Sequence, residues 1–150
     1  MSLIANCIRS EDVRQQVVVE ENGKKYHLEN EKGAKIAVVI VDKCVAQKEG
    51  EKRCDFLLQI NRKVKNDFVL DKSIFIELKG GKILNGVKQI YESILFLKHE
   101  VAMNNLECKI VGSSGVPKIQ SEPSYLKLLK LVDSKDRITI KTNNFLKEKI

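Results

Sequence analysis

The chain reads as an α/β protein built on a mixed central β-sheet flanked by helices. Three observations carry this expectation. The first half holds several short β-prone runs separated by turn residues. Apolar residues then recur with helical period from Ile83 (83, 84, 87, 90, 91, 94, 95 and 97). After that, short apolar runs alternate with a second amphipathic stretch. A β-meander followed by helix-connected strands makes a sheet with both antiparallel and parallel neighbours. With 150 residues, 43% hydrophobic and 31% charged, the expected organisation is a single domain over 1–150.

In chain order, residues 3–15 read as a short helix or frayed arm. Two β-prone runs, 16–20 and 24–28, flank Asn22-Gly23, the strongest short-range hairpin signal, and form an N-terminal β-hairpin extension over about 16–28. KIAVVIVDKCV (35–45) is dense in β-branched residues and reads as a central, well-buried strand. A polar turn at 47–52 leads to a strand over 53–60, and 61–71 is patterned too poorly for more than a loop or hairpin tip. The next strand spans 73–79, and the helix from Ile83 runs to about Met103. A strand at 108–111, the loop GSSGVPK, and a helix with Ser121 as N-cap and Pro123 in its first turn follow. The last strand is RITIK (137–141), and the tail NNFLKEKI reads as a helical turn.

The net charge of +7 is uneven: from Gly80 onward twelve Lys/Arg face seven Asp/Glu, before it fifteen face thirteen. The excess suits an anionic partner, or simply a solubilising surface. Trp is absent and aromatics are 5%, which argues against a stacking platform for single strands. No apolar run is long enough to span a bilayer, so no membrane is expected. MSLIANCIRSED lacks the pattern of a secretory leader. The expected location is cytoplasmic, and the four scattered cysteines are expected as reduced thiols. The serines of GSSG have no partner base at meaningful spacing, and the loop lacks a phosphate-binding GxxxxGK[ST] pattern.

The chemistry-bearing residues lie in strands. In Ile74-Phe75-Ile76-Glu77-Leu78-Lys79, side chains at i and i+2 share a face, so Glu77 and Lys79 project together and the aliphatic residues fill the other side. Asp55 is embedded in the preceding apolar run, Cys54-Asp55-Phe56-Leu57-Leu58. If the two strands pair, Asp55 and Glu77 meet, and two close carboxylates are best ionised with a cation between them. Hard oxygen donors select Mg²⁺ or Mn²⁺, and such an ion activates water against a phosphodiester. Several alternatives stay open. Asp55 is also a strand-end acid within reach of Arg53, and Glu77 and Lys79 also suit the exposed face of an edge strand. Asp42 is a third metal ligand or a turn-initiating acid, and Gln89 a site residue or a solvated one. Glu20, Glu21, Glu29 and Glu31 are equal candidates for a further carboxylate.

An apolar strand with an embedded Asp, twenty-one residues, an apolar strand ending in Glu77-Leu78-Lys79, and then a helix resembles the PD-(D/E)XK nuclease superfamily, mainly over residues 35–103. The stretch CDFLL…IFIELKGG…GVKQI looks like a small bacterial branch of it, of bacterial or phage type. The resemblance implies a restriction-endonuclease-like fold with an αβββαβ core. It implies a Mg²⁺- or Mn²⁺-dependent hydrolase, a nuclease binding DNA before RNA, with a homodimer or partner protein supplying specificity. Asp55 and Glu77 would be metal ligands, Lys79 the catalytic lysine, and Gln89 a helix residue facing the site. Gly86 would let that helix approach the sheet closely. The chain departs from the pattern at two points: Cys54 stands where the motif has proline, and Ser93 where a QxxxY motif has tyrosine. The alternative function is a catalytically inactive nuclease-like module that binds nucleic acid or a protein partner.

Overall fold

The computed structural model describes residues 2–45, 52–78, 80–113 and 118–150. Its strands are β1 (Ile8–Asp12), β2 (Gln16–Glu21), β3 (Lys24–Glu29), β4 (Lys35–Ile40), β5 (Phe56–Val64), β6 (Asp67–Leu78), β7 (Leu106–Val111), β8 (Ile138–Lys141) and β9 (Phe145–Lys149). Two α-helices are described, α1 (Ile83–Phe96) and α2 (Pro123–Val132). The strands make a mixed six-stranded sheet in the order β1-β4-β5-β6-β7-β8 and a three-stranded sheet in the order β2-β3-β9. From β1 to β6 neighbours are antiparallel, while β6, β7 and β8 are parallel. The mixed α/β sheet is therefore as the sequence indicates.

The layering differs from the expectation of helices on both faces. Along β4, β5 and β6, alternate residues serve two cores. Val39, Leu57 and Phe75 pack with Val87, Ile90 and Ile94 of α1 and with Leu128 and Val132 of α2. Ile36, Val38, Leu58, Ile74 and Ile76 pack against Val17, Val19, Tyr26, Leu28 and Leu146 of the small sheet. A sheet buried on both faces needs apolar residues at successive positions, which is why KIAVVI has no polar alternation.

The hairpin at Asn22-Gly23 is present, with both residues in the left-handed region the turn requires. Several elements depart from the sequence reading. The N-terminal arm is a 3-10 turn (Ala5–Cys7) followed by β1, an edge strand on β4. The strand expected over 35–45 stops at Ile40 and becomes a π-helical turn, Val41–Val45, carrying Asp42. The expected loop 61–71 is a continuous hairpin whose ladder reaches Val64 and Asp67, with Lys65 left-handed at the turn. Most of that end is exposed, so its side chains carry no two-fold burial pattern to read. Helix α1 ends at Phe96, because tertiary contacts capture Glu100: its carboxylate accepts from Ser2 Oγ (2.6 Å) and the Leu3 N–H (2.7 Å), and its carbonyl from Gln59 Nε2 (2.7 Å). The tail is a strand, not a helical turn, since Leu146 inserts into the small sheet beside Tyr26. Pro123 opens α2, with Glu122 rather than Ser121 at the N-cap. The expected turn at 47–52 and the loop GSSGVPK fall largely outside the described residues.

The expectation of four free thiols fails for two. Cys7 and Cys44, 37 residues apart, form a disulfide joining the 3-10 turn to the π-helical turn. The pairing of β1 with β4 brings them together, which no Cys spacing could show. Cys54 and Cys108 are free and buried, and burial pushes both thiols up from their ordinary pKa.

Candidate functional site

Asp55 sits on a bend just before β5, and Glu77 is the penultimate residue of β6. The ladder pairs Phe56 with Ile76, so the two acids fall at the same end of the hairpin. Their backbones interlock. The Asp55 N–H donates to Glu77 Oε1 (3.1 Å), and the Leu78 N–H donates to Asp55 Oδ2 (2.8 Å). Each carboxylate is held by the other's strand. Ile74, Ile76 and Leu78 point to the small sheet, while Phe75 and Glu77 belong to the face covered by helices.

Gly86 explains how α1 comes this close. A Cβ at that position would lie 3.2 Å from Glu77 Cγ and 3.4 Å from Ile110 Cγ2, tighter than side chains normally pack. Ser93, one turn beyond Gln89, ties the helix to the start of β5. Its hydroxyl accepts from the Cys54 N–H (2.8 Å) and donates to the Gln89 carbonyl (2.7 Å). The residue standing where the family motif has tyrosine thus anchors the backbone next to Asp55.

The two acids open into a cleft of about 590 Å³. Asp42 of the π-helical turn and Glu21 at the end of β2 line it as well, as do Asn85 and Gln89 of α1. Of the four glutamates the sequence left as equals, Glu21 is the one at this cleft; β2 delivers it there, a tertiary placement that no local pattern signals. Lys43 Nζ lies 2.7 Å from Glu21 Oε1, and that carboxylate raises the lysine's pKa.

Burial raises the pKa of Asp55 above the ordinary carboxylate range. The Leu78 N–H and the contact with Glu77 pull it back, while the charges of Glu21 and Asp42 push it up. The fold therefore gathers like charge around a half-buried acid. Among the described residues no three His, Cys, Asp or Glu side chains are grouped as a metal-binding set. Gln89 turns its Oε1 into a buried position with no hydrogen-bond partner. Lys79, expected to project beside Glu77, lies outside the described residues.

Comparison of the chain with protein-family models, with curated proteins and with solved structures finds no match.

Proposed function

We propose that the chain is a divalent-metal-dependent nuclease of the restriction-endonuclease-like class, hydrolysing phosphodiester bonds of nucleic acid, DNA before RNA. The observation that carries this reading is the convergence of Asp55 and Glu77 at one end of adjacent strands and at one cleft, where burial raises the Asp55 pKa. The fold supports it in part. The run β4-β5-β6-α1-β7 follows the βββαβ portion of the αβββαβ core, but strands and a hairpin precede it in place of the core's first helix.

The donor set fits a hard cation. Asp55 and Glu77 offer carboxylate oxygens, the type Mg²⁺ and Mn²⁺ prefer, and Mg²⁺ usually takes one or two carboxylates beside water and phosphate. Asp42 stands in the cleft outside that inner pair. Bound there, the ion would polarise the phosphoryl group and make bound water nucleophilic near neutral pH. The chain's own groups do the rest. Asp55 and Glu77, fixed by reciprocal backbone hydrogen bonds, hold their oxygens without reorganisation. Gln89 lines the cleft from α1, with its Oε1 buried and without a hydrogen-bond partner. Lys79 is proposed as the group that orients the attacking water or stabilises the pentavalent charge.

A cleavage assay on labelled DNA, with Mg²⁺ and with chelator, tests the reading. Mg²⁺-dependent cleavage that falls about 10²–10³-fold in Asp55→Asn and in Glu77→Gln is expected, the size of effect seen when one electrostatic element of a site is removed. Full activity in either variant would contradict it. The inactive-module alternative is favoured by one specific observation: both carboxylates already accept backbone N–H groups, and among the described residues no third acid groups with them as a metal-binding set. Nucleic-acid binding without cleavage in Mg²⁺ or Mn²⁺ would select that reading.

A further inference from the structure

The cleft does not end at the acids. Asn85 and Gln89 also line a second recess of about 190 Å³ between α1 and Lys52. Lys88 and Glu92 line that recess and also a third, of about 380 Å³, which reaches Ser124 and Lys127 at the start of α2. The shared residues make one groove. It leaves Asp55 and Glu77, follows the outer side of α1 and ends against α2.

The side chains along this groove are mainly basic and polar. Lys52, Lys88 and Lys127 are exposed and carry no ion pair among the described residues. On the small-sheet side, by contrast, Lys25, Lys147 and Lys149 are paired with Glu20, Glu29 and Glu31. Among the described residues, Glu92 is the one acid lining the groove beyond the cleft. Tyr91 lines the last recess between Lys88 and Lys127, with part of its ring packed on the helix core. An aromatic ring wedged on one side and flanked by unpaired lysines offers stacking to a base and charge to the phosphates beside it.

We propose that this groove is the track for one polynucleotide strand, with Lys88 and Lys127 contacting its phosphates and Tyr91 stacking a base, so that the strand is delivered to Asp55 and Glu77. The proposal deepens the nuclease reading and rests on it for direction, but its binding surface stands on different residues. The two recesses beyond the cleft, about 190 and 380 Å³, have room for a base or a phosphate group.

Fluorescence polarisation in chelator, with a short fluorescein-labelled oligothymidylate and the same strand annealed to its complement, tests the track without any cleavage. The single strand is expected to bind more tightly than the duplex. Lys88→Glu and Lys127→Glu are each expected to weaken it and to lower the slope of log affinity against log salt by about 0.7, one phosphate contact on a single strand. Lys147→Glu, the same charge change on the far sheet, is expected to leave both unchanged. Tyr91→Leu is expected to weaken binding about tenfold and Tyr91→Phe to restore it, since stacking needs the ring and not the hydroxyl. No binding, equal loss in Lys147→Glu, or a duplex bound at least as tightly would each overturn the track. If the groove variants behave as expected and Mg²⁺ produces no cleavage, the metal-centre reading fails and the track stands. If wild type cleaves and the groove variants bind and cleave normally, the reverse holds.

Discussion

Glu77 on β6 and Lys109 on β7 are the two charged side chains buried among the described residues, at 2% and 3% exposure, on neighbouring strands. Both belong to a Glu-x-Lys triplet, Glu77-Leu78-Lys79 and Glu107-Cys108-Lys109. Their neighbours differ. Lys109 Nζ lies 2.9 Å from Glu107 Oε1 and 3.1 Å from Glu148 Oε1, with Thr139 Oγ1 at 3.2 Å. Lys72 pairs with Glu107, and the Tyr26 hydroxyl donates to Glu148 Oε1 at 2.8 Å. Burial and the adjoining Glu148 raise the Tyr26 pKa, which keeps that hydroxyl a donor. Charge is closed on charge, and the network stitches the small sheet to the large one. Glu77 is instead brought beside a second carboxylate, with Glu21 and Asp42 across the same cleft. Lys109 is closed in by its partners, while Asp55 and Glu77 face an open cleft that Lys43 and Lys82 also line, and the cation proposed there would sit between the two acids. The Glu-x-Lys spacing does not distinguish the two, and the neighbouring strands do.

Four changes would break or sharpen this contrast. Lys109→Met removes the centre of the network and leaves the half-buried Glu107 and Glu148 without their shared cation. Urea unfolding should show a loss of about 3–5 kcal/mol, with cleavage per folded molecule intact. An unchanged stability would mean that the network does not hold the two sheets. Cys7→Ser frees the turn that carries Asp42 and Lys43 to the cleft. Opening a 37-residue crosslink should cost about 3–4 kcal/mol in the same measurement. Gly86→Ala sets helix propensity, a gain of about 1 kcal/mol, against a methyl forced onto Glu77 Cγ and Ile110, a cost of about 1–3 kcal/mol. A small net fall in melting temperature is expected, with a larger fall in cleavage because Glu77 must shift.

The smallest effect concerns pH. The folded protein holds a proton on Asp55 more tightly than the unfolded chain does, because its pKa is raised. Stability from this group is therefore lost as pH rises from the unfolded carboxylate range through the folded pKa. Asp55→Asn should flatten that fall and melt higher than wild type at neutral pH without metal. A variant that melts lower there would show that Asp55 serves the fold.

Much of this was legible in the chain because its signals are local. The apolar runs around Asp55 and Glu77 mark β5 and β6, so the two acids were expected to meet if those strands paired. The periodicity after Ile83 and the bare Gly86 put α1 over them. What could not be read depends on distant partners. Glu21 reaches the cleft only because the hairpin β2–β3 folds back beneath the sheet, and Cys7 meets Cys44 only because β1 pairs with β4. The strand at Phe145–Lys149 exists because β3 offers it an edge. Ser93 looked like a missing tyrosine, and its role follows from a backbone N–H thirty-nine residues away.

The central claim, that Asp55 and Glu77 together hold a divalent cation, is tested most directly by titrating Mn²⁺ into the protein and following free ion by electron paramagnetic resonance. The account predicts saturable Mn²⁺ binding that competes with Mg²⁺, persists in Lys109→Met under folding conditions, and is lost in both Asp55→Asn and Glu77→Gln. Undiminished Mn²⁺ binding in those two variants, or none in the wild-type protein, would contradict it.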